Sequence, residues 1–129
     1  MQDVPSAKGR EVAEALFRAI NEHDLEGFHS LFHEDSVIEY PQSGERIVGD
    51  VHRRGVYASF PGQPTVRRIM SSGNLAVVEA GVEYGDGVDW RAVFVLQLRD
   101  AKIAKLVAYW AKPFPPAESR APFVERLDE

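Results

Sequence analysis

The spacing of hydrophobic residues changes period partway along the chain. Over 12–20, Val12, Ala15, Leu16, Ala19 and Ile20 recur three and four residues apart, which makes the single apolar stripe of an α-helix. Ser6 stands ahead of that stripe as a candidate N-cap. Asp24 is placed to cap a second short helix whose apolar face is Leu25, Phe28, Leu31 and Phe32. Residues 35–40 then read as a strand that stops at Pro41, because proline cannot donate to a sheet ladder. Gln42-Ser43-Gly44 reads as a turn, and 49–59 as a third helix closed by Phe60-Pro61-Gly62.

From 65 onward the pattern is that of strands. The segments 65–71, 75–84, 89–99 and 102–110 are rich in Val, Ile, Leu and aromatic residues. Gly73-Asn74, Gly85-Asp86-Gly87 and Asp100-Ala101 separate them, and links this short imply an antiparallel meander. Pro113, Pro115, Pro116 and Pro122 make the tail an extended arm. The expectation is one α+β domain over 1–129, with a core of about 6–112: a strongly curved antiparallel sheet around three N-terminal helices.

Register follows from hydrophobic matching, since a slip of one residue turns every side chain to the other face. Two-residue loops at Gly73-Asn74 and Asp100-Ala101, with three residues at 85–87, put Ala76, Val78, Ala80 and Val82 on one face. Trp90, Ala92, Phe94, Leu96, Leu98, Ile103, Val107 and Tyr109 join them there. The opposite face receives Val66, Arg68, Met70, Leu75, Val77, Glu79 and Glu83, then Arg91, Val93, Val95, Ala104, Leu106, Ala108 and Trp110. Both faces are apolar in their middles, and three helices cover only one. A second copy is expected on the other, giving a homodimer through the all-apolar outer face.

Length and composition narrow the partners. A chain of 129 residues forms a core without metal or disulfide staples. With 44% hydrophobic and 27% charged residues it is neither disordered nor membrane-embedded, and the start Met1-Gln2-Asp3-Val4-Pro5 carries no secretion signal. The absence of cysteine removes thiolate chemistry and fits a cytoplasmic setting. A net charge of −5 with scattered basic residues argues against a nucleic-acid partner.

Particular stretches tie this element order to a known group. Ala19-Ile20-Asn21-Glu22-His23-Asp24-Leu25-Glu26 resembles the first helix junction of the nuclear transport factor 2-like fold. Phe32-His33-Glu34-Asp35-Ser36-Val37-Ile38-Glu39-Tyr40-Pro41 resembles its entry into the first strand. Leu98-Arg99-Asp100-Ala101-Lys102-Ile103, through Ala108-Tyr109-Trp110, resembles its last hairpin. The resemblance runs from about 6 to 114 and points to the SnoaL-like branch, related to polyketide cyclases and ketosteroid isomerases. It implies a cone-shaped pocket and no cofactor, but no particular chemistry. Three residues that the isomerases use are replaced: Tyr40 stands at the basic aspartate, Leu16 near the oxyanion-hole tyrosine, and Val95 near the second hole residue. The resemblance also implies that the face with Val95 and Trp110 lines the cone.

On that face Glu79 lies opposite Arg68 and diagonal to Arg91, with Glu83 beyond and Trp110 within cation–π reach of Arg91. The reading that follows makes Glu79 a general acid or base, Arg68 or Arg91 an anion stabiliser, and Tyr40 a hydrogen-bond donor to a carbonyl. Trp110, Glu83, Val95, Val93, Leu106, Leu16, His33 and Tyr57 are candidate substrate contacts. The competing reading is a structural ion-pair network of Glu79, Arg68 and Arg91 near the sheet rim. Asp89-Trp90-Arg91 alternates as in the epoxide hydrolases of this fold but in reversed order. Tyr57 and Phe60 also read as lid or core packing. His23, His29, His33 and His52 read as solvated helix surface, with His33 nearest the mouth, and no carboxylate set completes a metal site. Two functions stay open: cofactor-free acid–base chemistry on a small apolar carbonyl compound (cyclisation, isomerisation or dehydration), or a non-catalytic ligand-binding or dimerisation module.

Overall fold

A computed structural model describes residues 5–127, with side chains from Lys8 onward. The first helix, α1 (Pro5–Asn21), starts one residue before Ser6, so Ser6 lies inside it, and the Ser6 side chain falls outside the described ones. Met1-Gln2-Asp3-Val4 likewise lies outside them. Helix α2 (Leu25–Ser30) begins at Asp24, whose Oδ1 accepts from Gly27 N at 2.9 Å. A Cβ on Gly27 would lie 2.2 Å from Asp24 Oδ2, so a side chain there would push the capping carboxylate aside.

Strand β1 (Phe32–Tyr40) starts earlier than the pattern suggested, and Phe32 therefore leaves the second helix. After the turn at 41–44 comes a strand absent from the sequence reading, β2 (Glu45–Val48). Gly49, at φ +85°, swings the chain into α3 (Gly49–Val56), a backbone angle that β-carbons disfavour. The meander is β3 (Gln63–Ser72), β4 (Leu75–Glu83), β5 (Trp90–Arg99) and β6 (Lys102–Ala111). The sheet order is β2-β1-β6-β5-β4-β3, and β1 runs parallel to β6. The result is an α+β architecture with a curved, unclosed six-stranded sheet. Between Lys112 and Leu127 a 3₁₀ turn at Glu118–Phe123 interrupts an exposed arm. None of the helices is long and apolar enough to cross a membrane, among the described residues.

The hairpin registers agree with hydrophobic matching at all three turns. Arg68 pairs with Glu79, Val82 with Trp90, and Leu98 with Ile103. Two bulges then alter the parity. One, between Val66 and Arg68, leaves Arg67 outside the ladder. The other leaves Ala104 unpaired, so Gln97 faces Lys105 and Leu96 faces Leu106. Beyond Ala104 the strand is turned over: Leu106, Ala108 and Trp110 join the Ala92–Phe94–Leu96 face, while Val107 and Tyr109 join the other.

The assignment of faces is corrected. Ala76, Val78, Ala80 and Leu96 are buried, and α1 packs on β3 and β4 on that side. An all-apolar face removes more area from water when a helix covers it, so the helices take it. The face with Glu79 is the outer wall. The all-apolar face is therefore the core, not a surface for a second copy.

Candidate functional site

The cavity of the cone, between the helices and the sheet, is lined by Leu16, Phe17, Ile20, Phe28, Tyr57, Phe60, Val82, Tyr84, Phe94 and Leu106. Its free volume is about 110 Å³. For scale, an engineered apolar cavity of roughly 150 Å³ accommodates benzene. Phe28 anchors the helix side, with ring centroids 5.2 Å from Tyr57 and 5.0 Å from Phe60. The 60–62 loop sits directly on the strands: a Cβ on Gly62 would lie 2.7 Å from Val82 and 2.8 Å from Tyr84.

The polar feature of this wall is a pair of hydroxyls. Tyr40, at the end of β1, and Tyr57, just after α3, share a short hydrogen bond through their phenolic oxygens. Burial pushes both phenols above the ordinary tyrosine range, most strongly Tyr57, and Tyr84 is raised for the same first reason. All three are neutral near pH 7. In such a pair one hydroxyl donates to the other, and the acceptor keeps its own proton for a third oxygen. Trp110 stacks edge-on against Tyr40 at 5.1 Å, and Gln42 fixes the Trp110 backbone by accepting from its N at 2.5 Å and donating to its carbonyl.

Behind Tyr57 lies a buried polar cluster that the sequence did not reveal. Arg53, 1% exposed, donates to His29 Nδ1 at 3.1 Å and to Ser36 Oγ at 2.7 Å. It also ion-pairs with Asp50. His29 is buried rather than solvated helix surface, because its Nε2 meets the Tyr57 carbonyl at 3.3 Å. Among the described residues, no three His, Asp or Glu side chains come together as a metal site.

The predicted site residues divide between the two faces. Leu16, Tyr57 and Leu106 line the cone, with Tyr40 and Trp110 beside it. Glu79, Arg68, Arg91, Val93 and Val95 lie on the outer wall, and Glu83 is exposed. Arg68 grips Glu79 through two contacts of 3.2 and 3.0 Å, with side chains 61% and 40% exposed, which is an open surface pair rather than a dry catalytic one. Arg91 holds Asp89 at 2.8 Å instead of meeting Trp110. Val95 points outward, so the cone-facing residues at that level are Phe94 and Leu96. His33 is on β1, not on a helix, and meets the Arg99 carbonyl away from the cone. Phe17 and Phe94, absent from the predicted site, touch at 5.0 Å inside it. Phe94 stood on the all-apolar sheet face in the sequence, whereas Phe17 lies on α1 beside Leu16, outside the apolar stripe read there.

The sequence pattern of the SnoaL-like domain matches residues 13–106, most of the chain. The chain belongs to the SnoaL-like family. Among solved structures, a candidate ketosteroid isomerase from Kribbella flavida DSM 17836 is similar at 28% identity with a TM-score of 0.89, covering 98% of this chain and 94% of that one. An NTF2-like protein of unknown function from Burkholderia xenovorans LB400 is 30% identical with a TM-score of 0.81, covering 95% and 97%. An LEH-like epoxide hydrolase from M. tuberculosis shares the fold at 18% identity and a TM-score of 0.70, covering 82% and 84%. No curated protein matches the sequence. This SnoaL-like chain thus shares its frame with isomerase-like and hydrolase-like proteins while presenting Leu16, Tyr57 and Phe94 to its own cavity.

Proposed function

We propose that this SnoaL-like protein captures a small, largely apolar molecule bearing one carbonyl or hydroxyl oxygen, and that it does so as a ligand-binding module. The observation that carries the reading is the Tyr40–Tyr57 hydroxyl pair beside an otherwise apolar cavity. A neutral hydroxyl pair orients and polarises an oxygen. Acid–base turnover needs in addition a group that exchanges protons near neutrality. The residues lining the cone include no carboxylate, and Glu79, the acid first expected there, is on the outer wall.

Cyclohexanone tests the reading, with methylcyclohexane as a match in size that lacks the oxygen. In amide NMR titrations cyclohexanone should shift Tyr57, Val82, Phe94 and Leu106 saturably, and Tyr57→Phe should weaken it several-fold. An equal response to methylcyclohexane would defeat the oxygen-recognition half of the proposal. Shifts confined to the outer wall would defeat all of it.

The same proposal includes a homodimer, now through the outer wall. Met70, Val77, Val95 and Val107 pair in register across four strands, and Met70 is 43% exposed. A continuous apolar row on a solvent-facing sheet is the kind of surface a second copy covers. Light scattering should give a dimer that Val95→Glu converts to a folded monomer; a wild-type monomer at high concentration would refute it.

A further inference from the structure

Tyr84 is a third phenol of the cone and takes no part in the Tyr40–Tyr57 hydrogen bond. It follows the last residue of β4 and keeps the parity of Ala80 and Val82, so its ring lines the cavity together with Tyr57. Two neighbours hold that ring. Gly62 lies against one edge, where a Cβ would stand 2.8 Å from Tyr84 Cε1 and 3.1 Å from its Cδ1. Trp90 meets the ring edge-on at 5.6 Å. Trp90 is itself fixed, donating from Nε1 to Asp86 Oδ2 at 3.0 Å, with the Lys112 ammonium 5.6 Å over its ring.

The hydroxyl that this packing positions is unused. Among the described residues Tyr84 Oη makes no hydrogen bond, whereas Tyr40 and Tyr57 bond each other. It is nevertheless near both. Burial is the main reason that the Tyr40 and Tyr57 phenols are raised, and the charge of an ionised Tyr84 adds to the rise in each. The wall therefore offers a guest two O–H protons: the one the pair keeps and the one on Tyr84. The residues lining the cavity include no carboxylate, histidine or amide side chain to accept a proton in return.

We infer that Tyr84 determines the specificity of the cone: its hydroxyl and the Tyr40–Tyr57 pair donate to one ligand oxygen, which makes the ligand a ketone or aldehyde rather than an alcohol. This rests on the ligand-binding reading above and narrows it. A carbonyl oxygen has two lone pairs and no proton of its own, so it satisfies both donors. An alcohol brings a third proton. Whichever phenol oxygen accepts it, one O–H is left without a partner in apolar surroundings, a cost that the carbonyl avoids. Tyr84 is 38% exposed, so the ligand replaces water at its hydroxyl and the preference is several-fold rather than many orders of magnitude.

Cyclohexanone and cyclohexanol are the probes, with amide NMR for affinity and the infrared carbonyl stretch of bound cyclohexanone for hydrogen bonding. The wild type should bind the ketone roughly three- to tenfold more tightly than the alcohol. Tyr84→Phe keeps the ring between Gly62 and Trp90, so the variant should fold as the wild type does. It should weaken the ketone by a similar factor and erase the preference. The carbonyl stretch should move to higher wavenumber as one of two hydrogen bonds is lost, which a merely structural role for Tyr84 would not cause. Equal affinity of the wild type for both probes, or an unchanged ketone affinity and stretch in Tyr84→Phe, overturns the inference. If Tyr57→Phe still weakens the ketone in that case, the ligand-binding reading survives without Tyr84. Absence of cyclohexanone shifts at Val82 and Phe94 in the wild type overturns both.

Discussion

His29 Nδ1 accepts a hydrogen bond from Arg53 Nε at 3.1 Å, with both side chains buried. That contact fixes the tautomer: the proton sits on Nε2, which faces the Tyr57 carbonyl at 3.3 Å. Arg53 then spreads over Ser36 Oγ, the carbonyls of His33 and His29, and Asp50, with its Cζ 4.5 Å from the Phe32 ring centre. One arginine thus ties α2, α3 and β1 together directly behind the cone wall.

The first prediction is a loss of stability in mild acid. Burial, opposed by the Tyr57 carbonyl and helped by the charges of Arg53 and Arg54, holds His29 below the ordinary histidine value. The unfolded chain therefore takes up the proton first. The stability from neutral His29 is complete above about pH 6.5 and drains away as pH falls through the folded-state value, by at most ~1.4 kcal/mol per pH unit for one proton. Urea midpoints should drop between pH 7 and 5, and His29→Asn should flatten that window. An equally steep wild-type and variant profile would remove His29 as the cause.

Arg53→Met should cost about 3–5 kcal/mol, since it strands His29, Ser36 and two carbonyls without their donor. Arg53→Lys should recover little, because one ammonium cannot span Nδ1 and Oγ together. Urea unfolding of the two variants decides the matter, and a wild-type midpoint for Arg53→Lys would show that charge alone suffices.

Much of the frame was legible in the sequence because local rules and tertiary packing agreed. Asp24 caps α2, Asp100-Ala101 makes a two-residue hairpin, and all three turns set their registers as hydrophobic matching requires. The site was not legible for two physical reasons. An unpaired Ala104 carries no compositional mark, yet it reverses every later side chain of β6. Choosing which apolar face the helices cover also needs a comparison of total burial, and the exposed all-apolar face was given to a second copy instead. Arg53 escaped because its partners, His29 and Ser36, are 24 and 17 residues away.

The Tyr40–Tyr57 pair should behave as one unit. Either single change to Phe leaves a buried hydroxyl without its partner and should cost about 1–2 kcal/mol, whereas the double change should cost clearly less than the sum. Burial raises both phenols, so their contribution is complete below about pH 10 and is lost as pH rises through the raised folded values. A double-mutant cycle in urea at pH 8 and pH 11 measures both effects. Strict additivity would mean that the hydroxyls do not interact.

The hairpin between β5 and β6 holds two residues at positive φ, Asp100 at 51° and Ala101 at 67°. Such angles match the strand twist but crowd a β-carbon, and alanine lacks the side-chain oxygen that lets aspartate tolerate them. Ala101→Gly should stabilise the chain by about 0.5–1 kcal/mol, the relief of strain exceeding the added freedom of the unfolded glycine. A lower melting temperature for the variant would show that entropy wins.

Deleting Ala104 tests what the extra residue of β6 does. With it gone, Ile103 is followed directly by Lys105, so Leu98–Ile103, Gln97–Lys105 and Leu96–Leu106 become consecutive rungs of a regular ladder. Every later side chain of β6 then keeps its present face. Leu106 and Ala108, 4% exposed, stay in the core, and Trp110 stays against Tyr40. The pairs of Val37 to Glu39 with Lys105 to Val107 also persist, and only the irregular stretch between Phe32–Ile103 and Val37–Lys105 loses a residue. The deletion should therefore keep a cooperative thermal transition, with amide shifts for Leu106 and Trp110 close to those of the wild type. Loss of that transition would mean that the bend the bulge gives β6 beside β1 is itself required by the fold.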